Sequence, residues 1–123
     1  MVTSPSHDQQ GLDRDSILER LEGNQDLLAE LVELFLSEAP ELIETMQKAM
    51  QSGDMLALEH SAHSMKGAAG NFSASSTVSA ASQLEKDAKN RDLAAAKESL
   101  AALELAIERL TPELAGLRQE PAK

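Results

Sequence analysis

Apolar residues recur along this chain at steps of three and four, the period of an amphipathic helix, in five separate runs. The first is short. Asp13 or Asp15 stands where an N-cap belongs, Ile17, Leu18 and Leu21 form its apolar side, and Gly23 stops it. Asn24 caps the longest run. Its positions Leu27, Leu31, Leu34, Phe35, Leu42, Met46 and Met50 predict a helix over 24–51, about 42 Å long at 1.5 Å per residue. Pro40 lies inside that run and removes the bond to the Leu36 carbonyl, which predicts a kink rather than a stop.

Gly53–Asp54 pairs a helix stop with a new cap, and the third run carries Leu58, Ala62, Met65, Ala69 and Phe72. Residues 73–76 punctuate it, and a fourth helix is expected to reach about Lys89 with Thr77, Ala81, Leu84 and Ala88 inward. After Asn90–Arg91–Asp92 comes the cleanest stripe, Leu93, Ala96, Leu100, Leu103, Ile107 and Leu110. Leu114 and Leu117 continue its register past Thr111–Pro112, a pair that reads either as a kink or as a fresh N-cap with Pro at N1. Four such helices with short connections predict an all-α fold, an antiparallel four-helix bundle with an additional short N-terminal helix. Residues 12–118 are expected to form the one domain. The polar stretch 1–11 reads as a disordered tail or linker, and 119–123 as a frayed end.

Composition points the same way. Ala and Leu, 19 each of 123 residues, are the strongest apolar helix formers, and aromatics are only 2%. Eleven Lys and Arg against 21 Asp and Glu leave a net charge of −10. No basic patch is visible for nucleic acid or an anionic membrane surface, so neither is expected as a partner. The absence of cysteine removes disulfides, thiolate catalysis and Cys-based metal sites, and suits a reducing cytoplasm.

One segment looks selected for more than packing: His60-Ser-Ala-His63-Ser-Met-Lys66-Gly67-Ala-Ala-Gly70-Asn-Phe72. On a helical wheel the core positions lie about 140° away from His63. Leu56, Glu59, His60, Lys66, Gly67 and Gly70 fall within about 60° of it. His63 is therefore expected on the outward face. A mid-helix glycine costs about 1 kcal/mol relative to alanine. Two beside one exposed histidine, in a chain this rich in alanine, strip side chains from its flank, so that another protein's backbone can approach.

The run Ala62-His63-Ser64-Met65-Lys66-Gly67-Ala68-Ala69, about ten residues after Gly53–Asp54, resembles the signature of histidine-containing phosphotransfer (HPt) domains. The resemblance extends over about 12–110 and takes in the Phe35-to-Pro40 spacing and the Leu84-Glu85 pair. It departs at Ser73, where the family usually has glycine after the position of Phe72. The resemblance implies a phosphorelay intermediate, not an enzyme with its own ATP site and with no cofactor of its own. It would accept a phosphoryl group from a receiver-domain aspartate and pass it to another. His63 would be the acceptor, Lys66 a phosphate contact, and Glu85 the partner that holds Nδ1–H and leaves Nε2 to attack. An unperturbed imidazole, with a pKa of about 6.5, is largely neutral and nucleophilic at pH 7.

The implied partners are response-regulator receiver domains, which supply Mg²⁺ and aspartate, and a hybrid sensor kinase, with the carrier itself a monomer. Gly67 and Gly70 would open the approach, His60 would border the dock, and Leu56 with Ile17 and Leu28 would form an apolar patch around the site. Competing functions fare worse. A di-metal bundle needs Glu-x-x-His on its helices, and the chain has none. A nucleotide-binding Gly-x-x-x-x-Gly-Lys loop is also missing. The remaining alternative is a helical-bundle adaptor that binds partners without phosphotransfer.

Overall fold

The computed structural model describes residues 12–118; the expectations for 1–11 and 119–123 lie outside the described residues. Five helices follow one another: α1 (Arg14–Arg20), α2 (Gln25–Ser52), α3 (Met55–Gly70), α4 (Ser75–Lys89) and α5 (Leu93–Arg118). Each boundary has a chemical cause. Asp13 accepts from the Ser16 amide, Asn24 from Leu27, Asp54 from Ala57 and Asp92 from Ala95, so four helix starts have a side-chain cap. Gly53 ends α2 at φ +75, and the Asp54 amide turns back to the Ala49 carbonyl at 2.9 Å. The α3–α4 turn uses Ser73 at φ +52, the left-handed conformation in which glycine is cheapest. Serine takes that conformation at the position where the resemblance led to the expectation of glycine.

Helices α2 to α5 pack as a closed ring, α2 on α3, α3 on α4, α4 on α5 and α5 back on α2. With turns of a few residues between them, this is the expected antiparallel bundle. Helix α2 runs through Pro40 and α5 through Pro112 without interruption, so Thr111–Pro112 is not a new helix start. The Thr111 hydroxyl instead donates to the Ile107 carbonyl at 2.8 Å.

The core is aliphatic except for one aromatic pair. Phe35 and Phe72 meet edge to face with centroids 5.8 Å apart. On α3 and α4 the buried residues include those the spacing predicts, Leu58, Ala62, Met65 and Ala69, then Thr77, Ala81, Leu84 and Ala88; Met55, Ser61 and Asp87 are buried with them. On α2 the inward stripe is Leu28, Val32, Phe35, Ala39, Met46 and Ala49; Phe35 and Met46 are buried as expected, while in the first turns Leu28 and Val32, one position round from Leu27 and Leu31, take the inward place. Leu34 is exposed, and so is Leu93 at the start of α5.

With α3 about 24 Å long against about 42 Å for α2, the first turns of α2 extend past α3. Helix α1 packs on α2, and Arg20 donates to the Asn71 carbonyl at the end of α3 (3.0 Å). Ile17 of α1 and Leu28 of α2 are each 1% exposed, so both belong to the core.

Candidate functional site

His63 sits in the middle of α3 on the face away from Leu58, Ala62 and Met65, and its side chain is 67% exposed. Glu85 reaches it from the neighbouring α4, where the inward residues Ala81, Leu84 and Ala88 leave position 85 at the edge of the α3–α4 seam. Its Oε2 lies 3.0 Å from His63 Nδ1. Its Oε1 lies 2.8 Å from Lys66 Nζ, which stands one turn beyond His63 on α3. One carboxylate therefore holds two groups, one on each oxygen.

The electrostatics fix the proton. The Lys66 ammonium beside Glu85 holds its carboxyl below the ordinary glutamate value of 4.5; partial burial opposes this, and the contact with His63 adds to it. An ionised carboxylate only accepts hydrogen bonds, so the ring nitrogen facing it must be the protonated one. Nδ1–H then donates to Glu85. In the neutral ring, Nε2 carries the lone pair and faces away from Glu85.

Of the remaining expected residues, Gly67 is exposed, and a Cβ built on it would meet nothing within 4 Å. It faces open space, not a packed neighbour. Gly70 is equally open, but it is the last residue of α3 and not mid-helix; near a helix end a glycine costs less, so the access argument rests on Gly67. His60 is exposed, and Leu56 is 60% exposed. Ile17 and Leu28 do not join a patch around the site, because both are enclosed where α1 covers the end of the bundle. That corrects the expectation drawn from the sequence. Leu56 is the one residue of the expected apolar patch that reaches the surface.

Two contacts along this seam were not read from the sequence. Lys66 is bound to Glu85 and not standing free in solvent, and one turn further along Lys89 faces Glu59 at 3.9 Å. Both follow from antiparallel helices with opposite charges seven apart on α3 (Glu59, Lys66) and four apart on α4 (Glu85, Lys89), a signal that becomes visible only once the partner helix is known.

Among the described residues no group of three or more His, Cys, Asp or Glu side chains converges as metal ligands. No helix among them is long and apolar enough to cross a membrane. A broad groove between α4 and α5, lined by Ser76, Ala80, Ala102, Leu105 and Arg109, includes none of His63, Lys66 or Glu85. A group carried on an exposed nitrogen needs no cleft of its own. Comparison with protein families shows that the Hpt domain model matches residues 30–112. Comparison with curated proteins and with solved structures gives no match.

Proposed function

The chain belongs to the Hpt domain family of two-component phosphocarriers, and we propose that His63 is its phosphoryl-accepting residue. Domains of this family carry phosphoryl groups without an ATP site of their own. The observation that carries the reading is the pairing of exposed His63 with Glu85 through Nδ1. It leaves the nucleophilic Nε2 as the nitrogen a partner can reach.

In this reading the Nε2 lone pair attacks the phosphorus of an aspartyl phosphate on a receiver domain. The P–O bond to the aspartate breaks, and its electron pair returns to the carboxylate. The Nδ1 proton stays on the ring, where Glu85 stabilises the positive charge that the new N–P bond creates. Onward transfer reverses these steps: a second receiver's carboxylate oxygen attacks phosphorus, and the N–P electron pair returns to Nε2. Lys66 has three donors, so it can keep Glu85 and also meet a phosphoryl oxygen. The receiver supplies Mg²⁺. A hybrid sensor kinase upstream and response regulators downstream fit this role, with the carrier acting as a monomer in the cytoplasm.

The test is to incubate the protein with a phosphorylated receiver domain and Mg²⁺, then look for acid-labile phosphate on the carrier. The reading expects label on the wild type and none on His63→Gln, with His60→Gln retaining most of it. An adaptor without phosphotransfer would bind the receiver and take up no label.

A further inference from the structure

We propose that Lys86, Lys89 and Arg91, at the end of α4, form a basic docking rim beside His63 that receives an acidic face of the partner. The proposal rests on the phosphocarrier reading and names residues outside the His63, Lys66 and Glu85 group.

The charge distribution is lopsided. Residues 54–92 carry Lys66, Lys86, Lys89 and Arg91 against Asp54, Glu59, Glu85, Asp87 and Asp92, a net −1 in a chain of net −10, so the rest carries −9. The five carboxylates are committed, Asp54 and Asp92 as the caps of α3 and α5. Asp87 is buried and accepts from the Ser99 hydroxyl at 2.5 Å and the Gln83 amide at 3.0 Å. Glu85 is taken by His63 and Lys66, and Glu59 faces Lys89. Among the described residues, no carboxylate pairs with Lys86 or Arg91. Pairing neutralises Lys66 and Lys89, so Lys86 and Arg91 are the cations left uncompensated beside the site.

Position ties Lys89 to the histidine. Lys89 is four residues after Glu85, one helical turn or about 6 Å along α4, and it faces Glu59, which is four residues before His63. Lysines in the last turn of a helix have a local explanation, since they meet the negative end of the helix dipole. Arg91 does not. It lies beyond α4 at φ +58, a conformation where glycine or asparagine is cheaper. Arg91 is exposed at that turn, so its charge is presented to solvent.

The occupant follows from complementarity. A phosphoryl-accepting aspartate works beside further carboxylates that bind a divalent cation, so the partner approaches with an acidic face. Complementary charge of this kind accelerates encounter by about 10- to 1,000-fold and fades as salt shortens the Debye length.

The experiment uses the receiver domain of a response regulator, phosphorylated with acetyl phosphate, and measures second-order transfer to this protein at low and high salt. The rim variant combines Lys86→Gln, Lys89→Gln and Arg91→Asn, the last chosen because asparagine tolerates a positive φ. The control combines Lys48→Gln, Lys97→Gln and Arg109→Gln and has the same net charge. The rim variant is expected to slow transfer about tenfold at low salt and less than about twofold near 0.5 M salt. The control should match the wild type, and all three proteins should react equally with phosphoramidate. Equal slowing in both variants, or no slowing in the rim variant, overturns the proposal. Affinity for the unphosphorylated receiver gives an independent reading: the rim must lose it and the control must not. Should His63 take no phosphate from any donor, the phosphocarrier reading fails, and this binding comparison still decides the rim.

Discussion

Lys66 Nζ lies 2.8 Å from Glu85 Oε1, so in the unphosphorylated protein the ammonium next to the histidine is held by the carboxylate that also holds the ring. The three side chains form one unit spanning α3 and α4, and a change in any of them is felt by the other two. In the proposed function, arrival of a dianionic phosphoryl group on Nε2 would give Lys66 a second acceptor and make the ring a better donor to Glu85. Tight packing of the helices beneath keeps the two backbones in register while these charges rearrange.

Glu85 should therefore make stability depend on pH in a defined direction. Its folded pKa is held below the ordinary 4.5, so folding favours the ionised form. The contribution is complete above the unfolded value and is lost as pH falls through the lower folded value. The difference in unfolding free energy between wild type and Glu85→Gln should be flat above about pH 5 and shrink below about 4.5. Urea unfolding at a series of pH values measures it, and a difference that grew on acidification would contradict the pairing. The same variant should also slow phosphorylation by phosphoramidate, about tenfold, through loss of ring orientation.

Ser73 occupies a left-handed position at φ +52. A non-glycine residue there costs about 1–2 kcal/mol, part of which glycine returns through the greater freedom of its unfolded chain. Ser73→Gly should stabilise the domain by about 0.5–1 kcal/mol, a rise in Tm of about 2–5 °C. Transfer activity should not change. Calorimetry checks this, and a lower Tm would show that the serine hydroxyl makes a contact worth more than the strain.

Ile17 and Leu56 should separate the fold from the dock. A charge at Ile17, which is 1% exposed, has no partner in the core, and Ile17→Asp should cost more than about 3 kcal/mol. Leu56→Asp, at a position 60% exposed, should change stability by less than about 0.5 kcal/mol while weakening receiver binding. Thermal melts and receiver titrations on the two variants distinguish these outcomes. Unimpaired binding by Leu56→Asp would remove Leu56 from the docking surface.

Gly67 tests access to the site. With open space where a Cβ would stand, both Gly67→Ala and Gly67→Leu should raise stability by about 0.5–1 kcal/mol through helix propensity. The leucine variant should lose transfer from the receiver and keep its reaction with phosphoramidate. Normal transfer by both variants would show that the missing side chain has no part in docking.

Periodicity found the helices and the outward placement of His63, because α3 has a single apolar stripe and one polar face. It was ambiguous on α2, where Leu27–Leu28, Leu31–Val32 and Leu34–Phe35 offer two stripes about 100° apart. Which one faces inward depends on where α1 packs, and that is tertiary information. The same cause hid the burial of Ile17 and Leu28. Nothing in the spacing marks Asp87 for burial, yet it is buried against Ser99 of α5, and a buried polar pair has no period to betray it. The His63, Lys66 and Glu85 group was legible as residues from a family motif. That Glu85 divides its oxygens between the other two was not, since it depends on the register of α4 against α3.

The most direct test of this account is the bond that forms. Phosphorylated protein, labelled with ¹⁵N at histidine and observed by ³¹P and ¹⁵N NMR, shows which ring nitrogen carries phosphorus. The account predicts phosphorus on Nε2 of His63, with Nδ1 protonated toward Glu85. Phosphorus on Nδ1, on His60, or on no histidine would contradict it.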